Sequence, residues 1–559
     1  MKPCMKCHGF WMLSLLFAIA MTACGGGGSG SDVVTGSPTT PTPVAPTPIP
    51  PQALADNTFG VDCNGSDCGA SNLQYSGSGV GFWRYTNTSA SHTGVPVNLM
   101  DVAGRTVTLV YTNQKATPVA MPPITLSLLQ RSPRRAQQAR DDAAQPVNQV
   151  PDQIREFNRN PPINRAAPSI QRSVSKADKP AAAIVGNTQL WNVHVDQMET
   201  RSATLRRKLT ASDGRTINFW VENGEYASDR LTEAQLNTIA SAFSSGSDAI
   251  YGMVTGLAGA PWGTHDFNDL IGPNQELDVV LVNFDHDNQP YGLMGYFWSY
   301  NNFKRSASTP QSNESLSLYL DTETVYRTTG ETGLKTQLNT LAHELTHMIN
   351  FYQRGVVIDN TFDTFLEETT ALMMEDVVGL RVDPDYHPIR DGRFPDWLNQ
   401  AGYNCNLTSW DDDPGSDCFS YSVNGSFGGY LLRYYGVEFY KQLLRNDSSS
   451  NSITLLDTVI RNVGGLGLAD AVRRWGTSIA LLPTPGTPST FGYPERIDSG
   501  YTLPGIHGPD YLADRVLPSS VPTLLQGYAH FPVVRTPTGN TYSETISVPP
   551  GTTLTVIVQ

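Results

Sequence analysis

The 559-residue chain lacks an apolar run long enough to cross a bilayer, lacks an excess of basic residues and has only seven cysteines. Each shortage removes a class of function. The apolar stretch from Phe10 to Ala20 falls short of the roughly 20 residues a transmembrane helix requires. Lys and Arg number 38 against 52 Asp and Glu, giving a formal net charge of −14 and a pI near 5.2. That balance favours solubility and argues against nucleic acid as a partner. One stretch does carry clustered arginines, among them Arg131, Arg134, Arg135, Arg140, Arg155, Arg159, Arg165 and Arg172. Asp141, Asp142, Asp152 and Glu156 interrupt it, so the expectation is a linker without a packed core rather than a basic tail.

What is present at the N-terminus suggests export. Lys2 and Lys6 precede Phe10–Ala20, and Met21-Thr22-Ala23-Cys24 comes next, which resembles a bacterial lipoprotein signal with its lipobox. That resemblance implies removal of residues 1–23 and lipidation of Cys24, tethering the chain to the cell envelope, with the outer membrane as the expected place and extracellular release as a variant. An ordinary cleaved secretory peptide is the alternative. Of the seven cysteines, Cys4 and Cys7 would leave with the signal and Cys24 would carry lipid. Cys63 with Cys68 and Cys405 with Cys418 then form two local pairs, flanked by Gly, Asp, Ser or Asn as loop-closing disulfides are. Neither pair has metal-knuckle spacing or a nearby histidine, which argues against a cysteine metal site.

Composition divides the rest. Residues 24–55 are a Gly/Ser/Thr/Pro-rich tether. Residues 56–130 show Gly-rich turns and alternating runs such as Arg105–Tyr111, predicting a small β domain. Residues 131–183 are the expected linker, whose arginines offer processing sites that would separate the β domain from the catalytic region. That region, over 184–485, begins with strands such as Thr216–Val221, then a helix over 232–255, a buried strand over Leu277–Asn283 and another over Glu314–Leu320. Residues 486–559 end in runs such as Pro532–Val534, Thr545–Val548 and Leu554–Val558, a second β-rich module for packing or partner binding.

The chemistry concentrates at His343-Glu344-Leu345-Thr346-His347. Positions four apart lie on one helix face, so both imidazoles can reach one metal ion, with Glu344 beside it to take a proton from a water whose pKa the metal lowers to roughly 7. The register agrees with a helix. Leu334, Leu338, Leu341, Leu345, Met348 and Tyr352 form one apolar stripe, and His343 and His347 fall opposite, beside Thr336, Thr340 and Asn350. Gly355 is the expected stop. A third ligand is needed. Thr364-Phe365-Leu366-Glu367 reads as a capping box that would occupy Glu367, whereas Glu368 and Glu375 share the face opposite Leu366, Met373 and Val377. Glu368 is therefore the expected ligand and Glu367 the alternative. An exposed charged helix without metal is the bland reading of the motif.

Two helices, the first giving two histidines and the second a glutamate about twenty residues on, resemble those of a thermolysin-type zinc metallopeptidase, a gluzincin. His343–Phe351 with Phe365-Leu366-Glu367-Glu368 and Met374-Glu375-Asp376 is similar to the hyicolysin family of bacterial metallopeptidases, and aligning its Trp-Leu-Asn-Glu-Gly stretch places the ligand glutamate on Glu368. Phe365, Glu367 and Thr369 stand where Trp, Asn and Gly would. Leu372 stands where thermolysin has an aspartate that orients a histidine, which leaves the groups behind the ligands unassigned. The resemblance implies an α+β zincin core, Zn2+, and protein or peptide substrates pairing with a cleft strand, expected here at 314–320. An oxyanion donor is also needed. Tyr421, just ahead of a helix through Leu431–Leu444, is the candidate, with Tyr430 and His387 as competitors. The turn Asp285-His286-Asp287-Asn288 is dense enough in oxygen for calcium, against a polar turn capped by its own carboxylates. The competing classes are a non-catalytic surface lipoprotein, an adhesin or protein-binding module, against which an intact Glu344 argues, and a zinc hydrolase of non-peptide amides.

Overall fold

The computed structural model describes residues 54–127, 148–164, 182–194, 198–246, 248–399, 402–482, 484 and 486–559. The signal-like segment, Cys24 and nearly all of the tether lie outside the described residues. Within them, no helix is long and apolar enough to cross a membrane.

The main elements in chain order begin with β1 (Gly81–Thr86), β2 (Thr93–Met100), β3 (Val107–Asn113) and α1 (Asp152–Arg159). The central region supplies β4 (Thr188–His194), β5 (Met198–Thr210), β6 (Thr216–Glu222), α2 (Glu233–Ser244), α3 (Ile250–Ala258), β7 (Leu277–Val282), β8 (Gly295–Phe297) and β9 (Leu316–Asp321). Helices α4 (Thr332–Asn350), α5 (Thr364–Val382), α6 (Ser420–Arg445), α7 (Ser452–Asn462) and α8 (Leu468–Leu481) come next. The chain then forms β10 (His530–Arg535), β11 (Thr541–Val548) and β12 (Thr552–Val558).

Six strands make a mixed sheet in the order β8-β9-β7-β6-β5-β4, in which β7 runs parallel to both β6 and β9 while β8 returns antiparallel to β9. Leu277–Val282 is apolar except for Asp278, which accepts from Asn218 and Trp220, because the strand is covered on both faces. The helices pack on one face, with Leu338, Leu341, Leu345 and Met348 of α4 in the same core as Leu277, Val279 and Leu318. Full burial of each such side chain contributes about 1.5–3 kcal/mol. The strand expected to border the cleft, β9, is interior; the edge belongs to β8, three residues too short to announce itself by alternation. Gly295 is required there, because a Cβ would lie 2.7 Å from the Tyr319 carbonyl oxygen and 2.9 Å from Thr340 Cγ2.

Other expectations need correction. The helix over 232–255 is two helices, separated where Gly246 takes φ 98. Gly355 does not stop α4, which widens into π-helical turns over Phe351–Ile358 and ends at Asp359 in the left-handed conformation. The 131–183 linker is not structureless throughout: residues 148–164 include α1 and lie against the sheet. The N- and C-terminal β regions are also not separate modules. β12 pairs with β1 on one side and β3 on the other, β10 pairs with β3, and β11 pairs with β2. Val97, Leu109, Val533, Ile546 and Val556 then share one sandwich core. The outer face of this sandwich docks on α8 through Phe82, Val110 and Ile557, and the buried Asp62–Arg473 pair at 2.6 Å crosses the same junction.

Candidate metal centre

Helices α4 and α5 place their polar faces together at the edge of the sheet. His343 and His347, one turn apart, both turn Nε2 toward Glu368 Oε2, at 3.1 and 3.7 Å. Ligand atoms of the three residues all lie within 4.8 Å of one another. The opposite ring nitrogens are held from behind: Glu375 takes His343 Nδ1 at 2.7 Å and Glu367 takes His347 Nδ1 at 2.8 Å. Asn350 steadies Glu367, donating to it at 3.0 Å. Two carboxylates thus fix which nitrogens face inward, the arrangement that orients histidine ligands. Two imidazole nitrogens and one carboxylate oxygen are a donor set that fits catalytic zinc.

The capping box expected at Thr364–Glu367 is therefore absent. Asp363 is the residue before the helix, no side-chain cap forms, and Glu367 is spent on His347. The same four residues fit both patterns, and only the proximity of α4 decides. Glu375 was legible as sharing the Glu368 face, but its partner was not.

Charge in the site is set by burial against pairing. Burial pushes the His343 imidazolium down, yet Glu368 and Glu375 outweigh it and bring the pKa to about 9. Burial likewise opposes His347, whose pKa Glu368 and Glu367 hold well above the ordinary value. Burial pushes the Glu368 carboxyl up, but His347 and His343 pull it far below the usual carboxylate range. Glu344 is raised, by burial first, with His347 and His343 opposing.

Glu344 does not point at the ligand carboxylate. Its Oε2 accepts from the Phe297 amide at 2.8 Å, tying it to β8, and its Oε1 accepts from Asn148 Nδ2 at 3.1 Å. Tyr421 stands in the first turn of α6 rather than ahead of the helix, its ring centroid 6.4 Å from that of His343. Burial pushes its hydroxyl well above the ordinary value, so it stays protonated. The competitors sit elsewhere: His387 Nε2 is bonded to the Asp376 carbonyl and wholly buried, and Tyr430 lies tilted against Tyr434 in the helical core. Arg393 lies over the Tyr421 ring at 5.4 Å, and nothing in its sequence context marks that role.

Both cysteine pairs are disulfides, Cys63–Cys68 and Cys405–Cys418. The carboxylates of Asp285, Asp287 and Glu323 do converge. Gln289 N–H donates to Asp287 within the turn, while Asn288 N–H and, at 3.1 Å, Arg327 donate to Glu323 outside it.

A mixed α+β core bearing two histidines and a glutamate beside a buried second glutamate defines the class of zinc metallopeptidases. The family model Peptidase M30 matches residues 197–559, and the chain belongs to that family of hyicolysin-type zinc metallopeptidases. A domain of unknown function (DUF8571) matches residues 62–126, the N-terminal part of the sandwich. Among curated proteins none matches. Among solved structures, a glutamate-to-alanine mutant of a two-domain M1 zinc metallopeptidase bound to L-arginine is similar at 12% identity and TM-score 0.28, over 58% of this chain. The chain spans 62% of that structure's length, and at that score the likeness bears on neither site nor substrate.

Proposed function

We propose that the chain is an exported zinc endopeptidase acting on proteins outside the cytoplasm. The observation that carries this reading is the convergence of His343, His347 and Glu368 beside Glu344 at the sheet edge. Bound zinc would supply Lewis acidity and lower the pKa of water at its open position to about 7. His343 and His347 would hold it through Nε2 and Glu368 through a carboxylate oxygen. Glu344, fixed at Oε2 by Phe297 N–H, takes the proton of the attacking water on Oε1 and passes it to the leaving amine. Tyr421 donates its hydroxyl to the oxyanion. An extended substrate pairs with the backbone of β8, and clefts flank the centre on two sides, one beside His347 and Glu368 and the other beside His343 and Tyr421, which favours endopeptidase action. Lipidation at Cys24 and the 25–55 tether would hold the enzyme at the envelope, and the mass of the mature N-terminus tests that part.

The deciding experiment measures zinc content and casein hydrolysis for residues 25–559 and for the Glu344→Ala variant. Zinc in both with cleavage only by the parent supports the reading. Zinc in both with cleavage by neither would favour the non-catalytic binding module, and absence of zinc from both would remove the metal site.

A further inference from the structure

The catalytic base is covered by the protein's own chain. Asn148 lies on the edge of β8 with its side-chain amide fully bonded: Nδ2 donates to Gly295 O at 2.6 Å and to Glu344 Oε1 at 3.1 Å, while Oδ1 accepts from Met294 N and Gly295 N at 2.8 and 3.2 Å. The neighbouring Gln149 N–H donates to Gly292 O at 3.0 Å. An amide that gives one hydrogen bond to a strand carbonyl and takes two from strand N–H groups does what a peptide unit does on a sheet edge. Tyr421 is engaged as well, its hydroxyl donating to the Asn148 carbonyl at 3.4 Å.

Residues on the C-terminal side of Asn148 hold this contact in place. Arg155 lines the same cleft as Glu344, His347 and Glu368 and pairs with Asp412 at 2.6 Å. Asn158 bonds the backbone of Phe297 and Ser299 at 2.8 and 2.7 Å, continuing along the same edge. Phe157 sits edge-on to Trp298, Tyr300 and Phe303. Val150, Ile154 and Arg155 line the cleft beside His347 and Asn148 lines the one beside His343, so this stretch runs between the two.

We infer that residues 148–164 are a built-in inhibitor: a strap that occupies the substrate edge of β8, caps the proton-accepting oxygen of Glu344 and must be displaced for turnover. The inference rests on the peptidase reading of the same site. Apparent activity scales with the fraction of molecules whose strap is off the edge, so a strap seated nine times in ten costs about tenfold.

The test inserts a site-specific protease sequence at position 138 and another at position 174 of the full chain, cuts both after folding, and removes the freed segment by gel filtration. Turnover of casein and of a quenched peptide is expected to rise by at least about tenfold at unchanged zinc content, and a synthetic peptide of residues 148–164 to reverse the gain. Equal or lower turnover in the cut protein overturns the proposal. In parallel, binding of a peptide hydroxamate to zinc-loaded, uncut chain is compared with that of Asn148→Asp, which sets a carboxylate against Glu344. About tenfold tighter binding is expected, and equal binding counts against the strap. Should no form hydrolyse peptides, the peptidase reading falls, while hydroxamate binding to the cut and uncut chains still decides the strap.

Discussion

The two carboxylates behind the histidines make a quantitative prediction that also separates the rival ligand glutamates. Truncating either partner to alanine frees an imidazole to rotate and lowers its basicity, which typically weakens metal binding by about 10–100-fold, or roughly 1.4–2.7 kcal/mol. Glu375 is the more enclosed, with its side chain 11% exposed against 22% for Glu367, so its bond to His343 is screened less by water. Glu375→Ala should therefore fall at the upper end of that range and Glu367→Ala at the lower. Glu367→Gln keeps an acceptor oxygen for both His347 and Asn350 and should recover most of the loss. Glu368→Gln removes the charged ligand and should weaken binding well beyond either alanine variant. The assay is competition for zinc against a chromophoric chelator at fixed pH, with peptide hydrolysis at saturating zinc alongside. Should Glu367→Gln abolish zinc binding while Glu368→Gln leaves it within tenfold, the ligand is Glu367 and the assignment of Glu368 to the metal is refuted.

Tyr421→Phe should lower kcat by about 10²–10³-fold with zinc content and KM little changed, and an unaltered kcat would reduce the residue to packing. His530, buried against Trp475 with Nε2 unpartnered, has its pKa pushed by burial from 6.5 to about 3. Between those values the unfolded chain binds a proton that the folded chain does not. The contribution is thus complete above pH 6.5 and lost as pH falls, by about 2 kcal/mol at pH 5; urea unfolding at pH 7 and 5 should show this drop in the parent and not in His530→Gln. The Asp376–Arg433 pair is wholly buried at 2.6 Å and joins α5 to α6, so Asp376→Ala, which strands the guanidinium, should cost about 3–5 kcal/mol in the same assay. An unchanged midpoint would mean that carbonyls alone satisfy Arg433.

How much could be read from the sequence depended on whether a feature is local. The two histidines on α4, the leucine stripe beneath them and the face shared by Glu368 and Glu375 arise from a 3.6-residue period and were legible. The partner of Glu367 was not, because Thr364–Glu367 satisfies a capping pattern and only the approach of α4 draws the carboxylate away. Nor was the cleft edge, since β8 has three residues and depends on its pairing with β9. Asn148 stands in a stretch of biased composition with no period at all, and its meaning comes entirely from Met294, Gly295 and Glu344, far along the chain. The strands of the sandwich were individually visible, but register between β1 and β12 leaves no trace in either segment alone.

That pairing sets the order in which the protein can be finished. Thr86 and Thr553 share a hydrogen bond across 467 residues of sequence, and β12 fills the gap between β1 and β3. Strands β1 and β3 therefore wait, their facing edges unpaired, through synthesis of everything between them and residues 552–558. Exposed edges of that kind invite association with other chains. A chain broken off before β12 has an N-terminal sheet with its middle missing, so an interrupted product carries at its front a visible mark of what it lacks at its back.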